Sequence, residues 1–208
     1  MESNLSAVVF KAQPHGEYDK LLKLITKDGV VSAVIKGVRR QKAKLKPCAL
    51  PFAFFEYSAV KKGEIYTITG ASQIEDLHGV SACPNKLTCA SIMLEAAAAS
   101  FGAGADGQFV VLLRMLKHII YGDNPFIPAI RFLQYMIHSS GYGYDYERYD
   151  RIETPLQLLS YLHFLGFEES ISIKADSISN SLIEKTLFKI ITSFENRFDY
   201  VFHSKVML

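Results

Sequence analysis

The sequence predicts an α+β chain, with a small closed β-barrel at the N-terminus followed by an all-α helical domain. Three observations predict it. Between Leu5 and Ala71 the apolar residues fall in short, often alternating runs rich in β-branched and aromatic side chains, which is the period of half-buried strands. Beyond Asp76 the pattern changes to longer segments with apolar residues at helical spacing. At 208 residues, 49% hydrophobic and 21% charged, the chain is long and apolar enough to give each part its own core, and disorder is not expected.

Five strands are expected in order. Ser6 to Ala12 is the first, Pro14 to Glu17 turns the chain, and Leu21 to Thr26 is the second. Lys27-Asp28-Gly29 closes a hairpin, because Asp-Gly between two apolar runs supplies the positive φ that a tight turn needs. Val30 to Lys36 is the third strand, Pro51 to Val60 the fourth and Ile65 to Ala71 the fifth, with Lys61-Lys62-Gly63-Glu64 as the last turn. Five short strands in so little chain suggest a five-stranded barrel of the OB type, since closure removes the exposed edges. An SH3-like barrel is the competing topology. Pro84 then opens the helical part: Asn85 to Phe101, ended by Gly102-Ala103-Gly104; Gly107 to Tyr121, with Asp106 as its cap; and Phe126 to Ser139 after Gly122-Asp123-Asn124-Pro125. A tyrosine-rich loop, Gly141 to Asp150, precedes a helix from Thr154-Pro155 to Phe164 and a last one from Ser177 or Ser179 to Phe198. The expected domains are residues 1–80 and 81–208, with a short loop at 141–153.

Charge is unevenly spread. The net charge is only +2, but from Met1 to Lys62 twelve Lys/Arg face five Asp/Glu, while the remainder is acidic on balance. The basic excess peaks between Val34 and Lys46, where Lys36, Arg39, Arg40, Lys42, Lys44 and Lys46 crowd together and no carboxylate occurs between Asp28 and Glu56. A cluster that repels itself this strongly points to a polyanionic partner, either nucleic acid or an acidic protein segment. On the strand reading it lies between the third and fourth strands, and the aromatics Phe52, Phe54, Phe55, Tyr57 and Tyr66 nearby are candidate stacking surfaces. Alternation lets only one face of Phe52, Phe54 and Phe55 point outward, so most of the five belong to the core.

Several chemistries find no motif. There is no G-x-x-x-x-G-K-[ST] loop, no H-E-x-x-H and no G-x-S-x-G, and the six histidines show no ligand-like spacing. Cys48, Cys83 and Cys89 are an odd number at spacings of neither a disulfide framework nor a zinc knuckle, and read as reduced. Glu17 and Asp19 beside Lys20 read as a local salt bridge or turn contact, not as an acid/base pair. Neither a signal peptide nor a membrane span is expected. The reading is a cytoplasmic binder with no cofactor or metal, and not an enzyme.

One family fits these segments together. The run A-V-V-F, then H-G-E-Y-D-K-L-L-K-L-I-T from His15 to Thr26, G-V-V-S-A-V-I-K-G-V-R-R from Gly29 to Arg40 and L-K-P-C-A-L-P-F from Leu45 to Phe52 resembles the N-terminal OB domain of RecO, the bacterial recombination mediator family. A-S-I-M-L-E from Ala90 to Glu95 is similar to its first long helix. Arg131-Phe132 followed by Gly141-Tyr142-Gly143 is similar to its central helix and exit, and His203, Ser204 and Lys205 stand in its closing segment. Many members carry a four-cysteine zinc module after the G-Y motif. Here no cysteine follows Cys89, so packing of Tyr142, Tyr144, Tyr146 and Tyr149 is expected to take its place.

The resemblance implies binding of single- and double-stranded DNA by the six cations, annealing of complementary strands and, with RecR, loading of RecA on DNA coated with single-strand-binding protein, at the nucleoid. It also implies that the helical domain holds the acidic, phenylalanine-ending tail of the single-strand-binding protein, for which Arg114, Lys117 and Arg131 are the candidate cations. A barrel that binds an acidic protein partner through the same basic loop is the alternative.

Overall fold

The computed structural model describes residues 2–165, 169 and 178–207. The chain forms two compact units, Met1–Gly79 with Phe101–Val110, and Val80–Ser100 with Val111–Leu208. The boundary falls where the composition changes, but the stretch 101–110, expected in the helical domain, groups with the barrel. Three contacts hold it there: Lys27 pairs with Asp106 at 3.4 Å, the Phe109 ring meets Phe54 edge-on at 6.1 Å, and Phe101 runs its carbonyl past Gly29. Gly29, at φ 107°, has no Cβ to obstruct that approach.

In the first unit five strands close a barrel: β1 (Glu2–His15), β2 (Asp19–Thr26), β3 (Gly29–Ile35), β4 (Phe54–Lys62) and β5 (Ile65–Glu75). Their order is β1-β2-β3-β5-β4 and back to β1, with β3 and β5 parallel and every other pair antiparallel. This is the OB arrangement. β1 is twice the length its apolar run suggests because it serves two neighbours. Glu2 to Val8 pair with β4 and Val8 to His15 with β2, and a bulge between Val9 and Lys11 bends the strand from one to the other. Alternation places Ala7, Val9, Leu22, Leu24, Ala33, Ile35 and Tyr57 in the barrel core, each fully buried. Burial of each Leu or Ile among them contributes about 1.5–3 kcal/mol.

The second unit holds α1 (Pro84–Ser100), α3 (Phe126–Ser139), α4 (Pro155–Phe164) and α5 (Asn180–Phe198), and most of α2 (Asp106–Tyr121). α3 is its centre, packed on α1 and α5 and buried from Ile127 to Gln134. The ends of the helices follow the local chemistry. Asn124 Oδ1 accepts from the Phe126 and Ile127 N–H groups at the start of α3, Lys86 Nζ caps α2 by donating to the Ile120 carbonyl, and Thr154 with Gln157 forms a reciprocal capping box on α4. Ser179 caps α5, whereas Ser177, the other expected start, lies outside the described residues. Asp106 is the first residue of α2 and not its cap.

The chain after α5 is bound by two carboxylates. Asp199, in the left-handed region at φ 48°, turns it back. Glu95, only 4% exposed in the middle of α1, then accepts from the Ser204 N–H and hydroxyl through Oε1 and from the His203 N–H and Tyr200 hydroxyl through Oε2. Glu195 accepts from the Phe202 N–H and pairs with Lys205 at 2.6 Å.

Candidate nucleic-acid interface

The connection from β3 to β4 runs from Lys36 to Ala53 and has two faces. Its apolar residues turn inward: Val38, Cys48, Ala49 and Ala53 join the barrel core, and Leu45 packs against it. Its cations turn outward, and Lys36, Arg39, Arg40, Lys42, Lys44 and Lys46 are all exposed. Among the described residues none of the six is paired with a carboxylate. The sequence thus spaces its charges between anchors, so the loop is fixed from beneath while its charged heads stay in water.

Specific bonds set the path of this loop. Gly37, at φ 65°, starts the turn, and its N–H donates to Asp19 Oδ1 at 2.7 Å. Asp19 was expected to make a local salt bridge or turn contact; the structure gives it the tie between the β1–β2 hairpin and the basic loop. Arg39 strengthens that tie, its N–H donating to the Tyr18 carbonyl at 2.9 Å and its Nη1 to the Gly16 carbonyl at 3.1 Å. Arg40 lies over the Tyr18 ring, 5.1 Å from its centre. Farther along, Lys46 Nζ donates to the Gln41 carbonyl, Pro47–Ala49 form a single 3-10 turn, and the Tyr57 hydroxyl donates to the Cys48 carbonyl inside the barrel. Burial pushes the Cys48 thiol up to about 11, so it stays neutral and structural. Phe52 is held in the left-handed region at φ 66°, and the burial of its ring and its N–H bond to the Val9 carbonyl offset the strain.

The candidate stacking aromatics turn inward more completely than expected. Phe52, Phe54, Phe55 and Tyr57 are all buried, and Tyr66 is half-buried under Lys61. Consecutive Phe54 and Phe55 face opposite ways, yet neither reaches solvent, because Phe109 covers Phe54 from outside. Sequence reasoning passed over Tyr18, which is 42% exposed at the hairpin, and the pair Lys11 and Lys23. Register alone makes Lys11 and Lys23 partners across β1 and β2, so no local pattern announces two more exposed cations side by side.

The three cations expected to hold an acidic tail are not brought together as one set. Arg114 and Lys117 are exposed on α2, one helical turn apart. Arg131, the third of these candidates, is instead 7% exposed on α3. Its Nη1 donates to Gln134 Oε1 at 2.8 Å, and Gln134 Nε2 donates in turn to the Tyr146 hydroxyl and the Leu159 carbonyl. Desolvation lowers the Arg131 pKa, but a guanidinium starts so high that it stays charged. Gln134 therefore ties α3 to the tyrosine loop and α4, and Arg131 holds Gln134 in place. Arg131→Ala is expected to cost the helical unit roughly 2 kcal/mol, read as a lower melting temperature; an unchanged melt would remove it from the framework.

Packing holds the tyrosine loop. Tyr144 donates to the Ser193 hydroxyl, Tyr146 stacks on His163 at 4.1 Å between ring centres, and Arg197 lies against Tyr142 and Tyr144. Tyr149 stays at the surface. Among the described residues no three His, Cys, Asp or Glu converge as metal ligands.

This geometry meets an independent finding. A family model described as "Recombination protein O N terminal" matches residues 1–76, which is the barrel. The barrel is similar to the N-terminal domain of RecO proteins. Relatives described as DNA repair protein RecO agree with that likeness: that of Rubrobacter xylanophilus is 29% identical over 57% of this chain and 49% of its own length. That of Clostridium kluyveri is 26% identical over 77% of this chain and 65% of its own length. The chain thus spans about half of the first relative and less than two thirds of either. The match to the RecO barrel covers all five strands and the whole basic connection, while the helical unit rests on the longer, weaker alignments. No helix among the described residues is long and apolar enough to cross a membrane.

Proposed function

We propose that this chain belongs to the RecO family and is a DNA-binding recombination mediator of the cytoplasm and nucleoid that acts by binding, without catalysing a reaction. The observation that carries the reading is the two-faced connection between β3 and β4, with six exposed cations on a loop anchored by Val38, Leu45, Cys48 and Ala49. Cations presented in this way neutralise phosphates without reading base edges, so binding is tolerant of sequence and weakens steeply with salt. Annealing needs that combination, because two strands must be screened from each other while their bases stay free. The names of the relatives support a role in DNA repair. Pairing with RecR, loading of RecA and capture of the tail of single-strand-binding protein complete the reading. Arg114 and Lys117 are the exposed cations of the helical unit that suit such a tail.

The test is a fluorescence titration of the wild-type chain with a labelled single strand at two salt concentrations, followed by an annealing assay with the complementary strand. Affinity is expected to fall by orders of magnitude as salt rises from about 50 to 200 mM, and annealing to exceed the spontaneous rate. Salt-independent binding, or tight binding without annealing, would reject the mediator.

A further inference from the structure

Tyr18 sits where the β1–β2 hairpin meets the basic loop, and 42% of it faces solvent. Its position is fixed twice, by the Arg39 N–H on its carbonyl at 2.9 Å and by the Asp19 carboxylate on Gly37 immediately after it. Arg40 covers one part of the ring at 5.1 Å from its centre. Of the other aromatics near the loop, Phe52, Phe54, Phe55 and Tyr57 fill the core and Tyr66 is half-buried under Lys61. Among the described residues Tyr18 is thus the exposed aromatic set against the cationic run, with the Arg40 guanidinium over its ring.

We propose that Tyr18 is the base-stacking surface of this site and the residue that makes it prefer single strands to duplex. The proposal rests on the DNA-binding reading above and gives that site its specificity. A base in a single strand offers a free π-face, which a fixed tyrosine ring engages at little entropic cost. In a duplex the same faces are already stacked on their neighbours, so only the phosphates remain for the loop. Arg40 serves both modes, bonding a phosphate while its plane backs the ring. Stacking releases no counterions, whereas each phosphate contact does. The two contributions therefore separate in a salt titration, stacking setting the level of the line and charge setting its slope.

The experiment compares wild type, Tyr18→Ala and Tyr18→Phe for binding to a labelled oligo-dT and to a duplex of equal length, each over a salt series. Tyr18→Ala is expected to lose about tenfold on the single strand, with the slope of log K against log salt unchanged and the duplex affinity within twofold of wild type. Tyr18→Phe, which keeps the ring, is expected to bind as wild type does. An equal loss on strand and duplex, or a changed slope, would make Tyr18 a prop for Arg40 and overturn the proposal. So would unchanged binding by Tyr18→Ala. A wild type that binds neither DNA would instead bring down the parent reading. Thermal melts of the two variants, expected to match wild type for an exposed side chain, check that each is folded.

Discussion

A chain carrying Arg39→Ala and Arg40→Ala will bind a labelled single strand with a shallower salt dependence than wild type, its slope reduced by about 1.4 if each arginine neutralises one phosphate at ~0.7 per contact. Affinity at low salt is expected to fall about tenfold or more, at up to ~1 kcal/mol for each exposed charge contact. The variant should still fold. The bonds from the Arg39 N–H to the Tyr18 carbonyl and from the Arg40 N–H to the Gly37 carbonyl belong to the main chain and survive the substitution. What is lost besides charge is the Nη1 bond to Gly16 and the cover on Tyr18. A second variant with lysine at both positions separates these effects, because it restores the charge but not the fork or the flat cation. If charge dominates, lysine recovers the slope and most of the affinity. A double alanine variant whose slope equals that of wild type would show that the loop does not meet phosphates, and the proposed function would lose its foundation.

The alternating design of that loop was partly legible in the sequence. Six cations with no carboxylate between Asp28 and Glu56 mark an exposed basic loop, and five strand-like runs with an Asp-Gly hairpin mark a barrel. These signals are local, carried by neighbours in the chain. So were the helix start at Thr154-Pro155 and the helix stop at Gly122 to Pro125. What stayed hidden depends on pairing at a distance. The length of β1 follows from its serving two partner strands, and the Lys11–Lys23 pair exists only through register. Arg131 looks like a surface charge from its own helix, and only the chain at Tyr146 and Leu159 buries the network around it. Tyr18 was passed over because the residues it meets, Arg39 and Arg40, lie more than twenty positions away.

The contact of longest range supports the other large effect. Glu95 is buried, and its two oxygens take four donors from residues 200–204, more than a hundred positions along the chain. The A-S-I-M-L-E run and the closing H-S-K segment thus form one structural unit. Glu95→Gln keeps the shape of the side chain but turns an NH2 group toward N–H and hydroxyl donors, leaving at least one pair of donors face to face in a dry site. Each hydrogen bond to a charged acceptor is worth about 1.5–3 kcal/mol, and a buried donor without a partner costs about 1–3 kcal/mol. The helical unit is therefore expected to lose roughly 3 kcal/mol, enough to lower its melting temperature by about 10 °C. A local readout distinguishes this from general weakening. The segment should loosen first at His203 and Ser204, next to Lys205, and trypsin should cut after Lys205 well below the melt. Ser204→Ala, which removes only the hydroxyl bond, should cost about 1 kcal/mol and leave the trypsin pattern close to that of wild type. A Glu95→Gln chain that melts with wild type and resists trypsin equally would mean that the carboxylate does not anchor the closing segment.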